Sequence, residues 1–255
     1  MAKMWPSSLD GITMSAAERE IYDKLKAALK DKEDWHVLYS VGLVKHVTQI
    51  KGEIDFLICA PGQGIFVLEV KGSNDISVDE NGTWTFHYVN EGDKKGKSPF
   101  DQARQGLESL MMYLRGKVPF IDNIRRGYGM MFTKVKCRFN APDVDREIIF
   151  DFDDVNRYSA KGWGHGKDVE EYLSRLMSYY AKHSPGNINT PPSAEAVKKI
   201  VHALKSDYKF SAPLKNKIAA RIDKTDYECN GDALEGLLSN ERWLIRGAGG
   251  SGKTV

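Results

Sequence analysis

The fold is decided by two apolar stretches, Gly52-Glu53-Ile54-Asp55-Phe56-Leu57-Ile58 and Gly64-Ile65-Phe66-Val67-Leu68-Glu69-Val70-Lys71-Gly72. Both predict β-strands, and the short Pro- and Gly-containing connection between them predicts an antiparallel hairpin. Each stretch carries acidic residues, and the second also carries a lysine two places after its glutamate. Charges in an apolar strand are costly unless they are paired or hold a metal ion. The hairpin is therefore the first candidate for a functional site.

Asp55, Glu69 and Lys71 are the candidate catalytic residues. Cutting a phosphodiester bond requires an activated water and neutralisation of the charge that builds on the phosphoryl oxygens. Carboxylates on neighbouring strands suit Mg²⁺, which prefers oxygen ligands, and a lysine ammonium suits the water or the developing anion. The alternative is a surface charge pair on a half-exposed strand. Residues 65–70 are apolar on both faces, however, which is typical of a central strand.

Three further groups are candidates for the same site. The backbone carbonyl of Val70 is a plausible extra metal ligand, and Glu18, from a predicted first helix, would complete the metal shell. Glu53 shares a strand face with Asp55 by alternation and is an auxiliary acid. Glu18 has a competing role, because Ser15 stands three places before it in the pattern of a helix capping box.

The remaining chain predicts a mixed α/β protein with a helical C-terminal segment. Residues 1–14 are expected to be irregular, and Asn81-Gly82 predicts a turn in a second hairpin over residues 76–89. A mobile loop is expected over residues 90–99. After this loop we expect a helix over 98–115, strands over 127–139 and 147–152, a helix over 167–181, and helices over 193–206 and 213–224.

The last residues match the phosphate-binding loop pattern G-x-x-x-x-G-K-[ST] directly after a predicted strand over 242–246. The candidate nucleotide-binding residues are Gly247, Gly249, Gly250, Ser251, Gly252, Lys253 and Thr254. Lys253 would meet the outer phosphates of ATP, and Thr254 would bind magnesium. The helix and the acidic residue that complete such a site do not follow, so ATP use is expected only in the complete protein.

Composition limits the classes of protein to consider. The chain has 255 residues, 28% of them charged, and a net charge of +2. No apolar run approaches the roughly 18 residues of a membrane span, and the N-terminus lacks a signal-peptide core, so we expect a cytoplasmic protein with no membrane partner. Cys59, Cys137 and Cys229 are too dispersed for a zinc cluster or a disulfide framework. The basic segment over 182–224 is either a phosphate-binding surface or a solvated helical face.

Residues 15 to about 155 resemble the nuclease-related domain family, NERD, of the PD-(D/E)xK nuclease superfamily. The resemblance is carried by Ala17-Glu18, Ile21, Leu25, Glu53-Ile54-Asp55, Gly64-Ile65, Glu69-Val70-Lys71-Gly72, Trp84, Ser98-Pro99 and Gln102. It implies a restriction-endonuclease-like core, a mixed central sheet flanked by helices. It places the metal and catalytic positions on Glu18, Asp55, Glu69 and Lys71, with Gln102 as a helix-borne polar residue. The first position often reads Gly-Glu in the family, and here it reads Ala17-Glu18.

The resemblance also implies a domain order. Residues 15–182 would be the nuclease-like domain, 183–226 a helical linker, and 227–255 the beginning of a P-loop domain. In the family a superfamily-1 helicase often follows, which fits the phosphate-binding loop. No glutamine stands in residues 226–241 where a helicase Q motif is expected, which leaves the helicase subtype open.

The expected function is a Mg²⁺- or Mn²⁺-dependent nuclease that cleaves DNA and works with a helicase in the same chain. Repair or antiphage defence against foreign DNA is the expected setting. The alternative is a catalytically silent module that binds nucleic acid or docks a partner for an attached helicase. DNA versus RNA, endonuclease versus exonuclease, and assembly into a homo-oligomer are left open by the sequence.

Overall fold

The computed structural model describes residues 1–43, 52–137, 144–159 and 166–207 of the protein. The strands in this part of the chain are β1 (Lys3–Trp5), β2 (His36–Leu43), β3 (Gly52–Ala60), β4 (Gly64–Lys71), β5 (Asp75–Val78), β6 (Trp84–Tyr88), β7 (Gly92–Gly96), β8 (Arg126–Phe132) and β9 (Ile149–Phe150). The α-helices are α1 (Ala16–Ala28), α2 (Pro99–Arg115), α3 (Phe152–Ser159), α4 (Lys167–His183) and α5 (Ala194–Asp207). Short 3₁₀ turns lie at Ile121–Asn123, Arg146–Ile148 and Gly186–Ile188.

The strands form a six-stranded mixed sheet in the order β1-β2-β3-β4-β8-β9 and a three-stranded sheet in the order β5-β6-β7. The predicted hairpin is confirmed, because β3 and β4 pair antiparallel from Ala60–Gly64 to Phe56–Leu68. Strands β4 and β8 pair in parallel, as do β8 and β9 and also β1 and β2. The expectation of a central mixed sheet flanked by helices is thus confirmed.

Helices cover both faces of the large sheet. Glycine at position 129 leaves room for α4, because a Cβ there would lie 2.1 Å from the Tyr172 hydroxyl. Gly129 pairs in parallel with Leu68, whereas the neighbouring Val67 lies against Gly106 of α2. Consecutive strand residues point to opposite faces. Helix α4 therefore packs on one face together with α1, and α2 packs on the other together with α5.

Several expectations about elements are wrong. Residues 1–14 are not wholly irregular, because Lys3–Trp5 forms β1 beside β2. The loop expected over 90–99 contains β7, which pairs with β6 although all its residues are exposed. The strand expected over 147–152 is reduced to β9, and α3 begins at Phe152. In each case pairing or packing with a neighbouring element overrides a weak local pattern.

Helix α5 packs onto the same body as the large sheet. Its residues Val197, Ile200, Val201 and Leu204 are buried, and the helix contacts β3 and α2. The apolar stripe that predicts the helix needs a cover, and the sheet face beside α2 supplies it. Residues 1–207 form one compact unit.

Some expectations lie outside the described residues. They are the helix over 213–224, the strand over 242–246 and the phosphate-binding residues Gly247 to Thr254. Where the structure does describe the chain, none of its helices combines the length and the apolar composition that a membrane span needs.

Candidate active site

The predicted catalytic residues meet where the β3–β4 pairing ends. Phe56 pairs with Leu68, so Asp55 and Glu69 each lie one residue beyond that pair. The Val70 N–H donates a hydrogen bond of 2.7 Å to Asp55 Oδ2. The N–H and C=O of one strand residue point to the same side. The Val70 carbonyl therefore points toward the β3 side, where Asp55 lies.

Lys71 is held by groups from three elements. Its Nζ lies 2.6 Å from Glu69 Oε1, and it donates to Gln102 Oε1 on α2 at 3.2 Å. The Phe86 ring of β6 lies with its centroid 5.8 Å from the ammonium, a cation–π distance. Gln102 is itself oriented, since its Nε2 donates to the Lys97 carbonyl at 2.9 Å. The ammonium is therefore positioned by contacts with α2 and with the small sheet.

Glu18 both caps α1 and lies near the site. The Glu18 N–H donates to the Ser15 hydroxyl at 3.2 Å, and that hydroxyl donates back to Glu18 Oε1 at 2.8 Å, which confirms the predicted cap. The Tyr39 hydroxyl donates to Glu18 Oε2 at 2.6 Å. The first turn of α1 is close to the end of β4, because a Cβ on Gly72 would lie 2.6 Å from the Ala17 Cβ. The absence of a side chain at Gly72 lets the two elements meet.

The site carries an excess of negative charge. Burial and the nearby Glu69 carboxylate raise the pKa of Asp55 well above its usual range, and Glu18 adds to the rise. Lys71 and the Val70 N–H act in the opposite direction without offsetting it. Burial acts to lower the pKa of Lys71, but Glu69 and Asp55 outweigh it and the pKa is raised. The lysine therefore stays an ammonium, and the carboxylates still lack a full counter-charge.

The donor set fits a hard divalent ion. Asp55 and Glu69 supply carboxylate oxygens, and the Val70 carbonyl points to the same side. In the described part of the chain no three carboxylate, imidazole or thiol groups are assembled as a ready metal cluster. Mg²⁺ does not need such a cluster, because it keeps several waters and binds through one or two carboxylates plus substrate phosphates. A cation there would also relieve the charge excess that raises the pKa of Asp55.

The structure brings some predicted residues together and leaves others apart. Asp55, Glu69, Lys71 and Gln102 form one connected group through Val70 and the hydrogen bonds just given. Glu18 influences the charge of Asp55, yet both of its oxygens already accept hydroxyl hydrogen bonds. Glu53 pairs with Gly42 through the β2–β3 backbone, and its side chain lies outside the described residues.

Sequence reasoning missed the groups that orient the site. Phe86 stands in a strand of the predicted second hairpin, but nothing in its pattern shows that the hairpin folds beside Lys71. Tyr39 stands in the largely apolar sequence of β2 and looks like an ordinary core residue. Ile54 departs from simple alternation, because it lies against Gly106 of α2 together with Val67. The departure occurs beside Asp55, whose side chain accepts from the Val70 N–H.

Comparison with known protein families gives one match. The model of the nuclease-related domain, NERD, matches residues 14–125. The matched region contains Glu18, Asp55, Glu69, Lys71 and Gln102, and it ends just before β8. Comparisons with curated proteins and with solved structures found no match. The resemblance seen in the sequence is thus confirmed for this region, and it suggests a nuclease-related function.

Proposed function

We propose that the region matching the nuclease-related domain is a divalent-metal-dependent nuclease that hydrolyses phosphodiester bonds of DNA. The observation that carries the proposal is the joint contact of Lys71 with Glu69 and Gln102 beside the high-pKa carboxyl of Asp55. Structural ion pairs seldom concentrate carboxylates beyond their counter-charge, whereas sites that bind a cation and a phosphate do. A restriction-endonuclease-like identity of the core belongs to the same proposal.

Asp55 and Glu69 would hold Mg²⁺ or Mn²⁺, with the Val70 carbonyl as a third oxygen and Glu18 completing the shell through water. The chemistry that the ion supplies when bound is a lower pKa for its water and neutralisation of phosphoryl charge. The Val70 N–H keeps the Asp55 carboxylate aimed across the strand gap. This preorganisation lowers the cost of gathering the negative groups when substrate arrives.

Lys71 acts as a charged donor rather than as a general base. Its raised pKa keeps the ammonium protonated at neutral pH. In the reaction the water loses a proton as its oxygen bonds to phosphorus, the bond from phosphorus to the leaving oxygen breaks, and the leaving oxygen gains a proton, so the number of protons is unchanged. The Lys71 ammonium stabilises the negative charge that builds on the phosphoryl oxygens during this exchange. Gln102 and Phe86 restrict its position, so little reorganisation is required.

The second candidate is a catalytically silent module that binds nucleic acid or docks a partner. It is favoured by one observation, since the described residues hold no preassembled three-ligand group. Such a module would bind DNA equally well with and without divalent metal. The two candidates therefore differ in the metal dependence of both cleavage and binding.

The C-terminal part belongs to the proposal as well. The match of Gly247 to Thr254 to a phosphate-binding loop supports ATP binding and the association of the nuclease-like region with a helicase. A role in DNA repair or defence against foreign DNA, and a cytoplasmic location, would follow from that arrangement. Assembly into a homo-oligomer is open. We expect the 255-residue chain by itself not to hydrolyse ATP, and measurable turnover would contradict this.

The proposal is tested by a cleavage assay on linear, circular and single-stranded DNA, with Mg²⁺, Mn²⁺ or EDTA. We expect cleavage with either metal and none with EDTA. Lys71→Ala should lower the cleavage rate by at least about a hundredfold, the usual scale for losing one transition-state donor. Lys94→Ala is the matched control, because Lys94 forms an exposed pair with Glu91 outside the site. Metal-independent cleavage, or an equal loss of cleavage rate in both variants, would contradict the mechanism.

A further inference from the structure

A basic surface lies on α5, away from the carboxylate site. A cavity of about 370 Å³ between α5 and the segment after α2 is lined by the cationic or titratable residues Lys117, Lys198, Lys199 and His202. All four are exposed. The acidic residue of the lining is Glu195, which pairs with Lys199 at 2.9 Å in an exposed ion pair. Glu195 therefore offsets the charge of Lys199, and the excess positive charge of the lining comes from the other lysines.

The positive surface continues along α5 to the sheet edge. Lys205 lies about two turns further along the helix than Lys198, with its ammonium 2.8 Å from the centroid of the Trp5 ring in β1. Burial and the charge of Lys3 lower the pKa of Lys205. Lys3 stands two residues before Trp5 in β1, so the two side chains share one face of that strand. Lys198 and Lys205 are seven residues apart, which puts them on one side of the helix about 10 Å from each other. We name Lys3, Lys117, Lys198, Lys199, His202 and Lys205 the basic α5 surface.

We infer that the basic α5 surface binds the phosphate backbone of nucleic acid at a place distinct from the carboxylate site. The inference rests on the proposed function for the identity of the polyanion. Among the described residues, five lysines lie on this surface with Glu195 and Asp34 as acidic neighbours, so the surface carries an excess of positive charge. A regular row of phosphates offsets that excess and releases counterions. The ammonium groups spread over two turns of helix match a repeating anion better than a single small one.

The distance between the two sites defines the substrate length that can reach both. Helix α2 carries Gln102 in its first turn and ends at Arg115, two residues before Lys117 of the cavity. Its 17 residues span about 25 Å. At about 3.4 Å per base pair, this corresponds to roughly seven base pairs of duplex. A shorter duplex would engage the carboxylate site without the basic α5 surface.

The test compares two double variants of equal charge change. Lys3→Glu with Lys198→Glu alters the basic α5 surface, and Lys26→Glu with Lys182→Glu alters exposed lysines of α1 and α4, on the other face of the sheet. Binding to a fluorescent DNA duplex of about 30 base pairs is measured in EDTA over a range of salt concentrations. We expect the first variant to bind about tenfold or more weakly and its salt slope to fall by about 1.8, the value for two lost phosphate contacts. The control should keep the wild-type slope.

The outcomes separate this inference from the proposed function. Equal binding by the two double variants would overturn the basic α5 surface, even if metal-dependent cleavage is observed. Absence of cleavage with a lowered salt slope would defeat the nuclease proposal and leave the surface standing. Equal affinity for polyglutamate and DNA would overturn the assignment to nucleic acid. If Lys3→Glu with Lys198→Glu fails to fold, Lys3→Gln with Lys198→Gln gives the same comparison with half the charge change.

Discussion

At the residue scale, the central feature is a carboxyl group whose surroundings oppose its charge. Burial and Glu69 raise the pKa of Asp55. The carboxyl group therefore binds its proton more tightly in the folded state than in the unfolded state. Stability therefore falls as the pH rises from the usual aspartate range through the raised pKa. A group that weakens the fold when it ionises is retained for another reason. Binding of a cation is the reason we propose.

Asp55→Asn should separate stability from activity. The substitution keeps the acceptor for the Val70 N–H and removes the disfavoured charge. We expect the melting temperature in EDTA at mildly alkaline pH to be equal to or higher than that of the wild type. Metal-dependent cleavage should be lost, because a ligand is missing. A clear fall in melting temperature together with retained cleavage would contradict both parts.

The sequence predicts the charged residues of the candidate site, but it does not predict which side chains surround them. Asp55, Glu69 and Lys71 are found because charges in an apolar strand need an explanation. Gln102 entered only through the resemblance to a family, since a glutamine in the first turn of a helix has no signal of its own. Phe86 and Tyr39 contact the site through tertiary packing, which strand alternation does not encode.

At the scale of elements, the approach of α1 to β4 positions Glu18. Gly72→Ala would put a Cβ 2.6 Å from the Ala17 Cβ, so the helix must move. We expect a loss of about 1–3 kcal/mol in the free energy of unfolding, as for other overpacked contacts, measured by urea denaturation. Ala17→Gly in the same chain removes the facing carbon and should recover part of the loss. Additive effects of the two substitutions would show that they do not meet.

A second set of contacts ties β9, α3 and α4 together. Arg175 donates to both oxygens of Asp154, at 3.1 and 3.0 Å, and Arg146 donates to Oδ2 at 3.0 Å. Burial acts to raise the pKa of Asp154, but Arg175 and Arg146 outweigh it and the pKa is lowered. A carboxyl with a lowered folded pKa stabilises the protein above the usual aspartate range. That stabilisation is lost as the pH falls through the lowered pKa.

Asp154→Asn should therefore destabilise the protein at neutral pH and have little effect in strong acid. We expect a loss of about 1–3 kcal/mol at neutral pH, because charged hydrogen-bond partners are left unmatched. Urea denaturation across the acidic range measures the difference. Asp153→Asn is the matched control, since Asp153 pairs with Lys136 at the exposed surface. Equal losses in the two variants at neutral pH would argue against the network.

Helices and strands are predicted correctly where the apolar pattern is long. The prediction fails for short strands that form only because a neighbouring strand pairs with them. Helices α2 and α4 lie close to their predicted bounds, and α1 begins directly after its predicted cap, Ser15. Strands β1 and β7 have three and five residues, too few for alternation to be read. Gly92–Gly96 is polar and glycine-bounded, so it looks like a loop and becomes a strand only because β6 lies beside it.

At the scale of the whole molecule, the body extends to the end of α5. A chain ending at residue 182, where the nuclease-like domain was expected to end, would lose four buried side chains of α5. Each such side chain contributes about 1.5–3 kcal/mol as an upper estimate. The four contributions together are comparable to the whole stability of many domains. We expect residues 1–207 to unfold cooperatively on heating and residues 1–182 to be largely unfolded. Equal melting temperatures for the two chains would contradict this assignment.

The larger arrangement combines a carboxylate site at one end of α2 and a basic surface near the other. The sequence signals both, as charges in an apolar hairpin and as a basic C-terminal segment, but it does not show that α2 separates them. That relation depends on the packing of α5 against α2 and β3. The match to the nuclease-related domain ends at residue 125, so it contains the first site and most of the second lies beyond it.

The most direct test of the central claim is the rate of DNA cleavage by Glu69→Gln with Mg²⁺, measured beside the wild type. Glutamine keeps the size of Glu69 and removes the charge that faces Asp55 and Lys71. The account predicts metal-dependent cleavage by the wild type and a loss of at least about a hundredfold in the variant, with the melting temperature in EDTA maintained. Cleavage by Glu69→Gln at the wild-type rate would contradict the account.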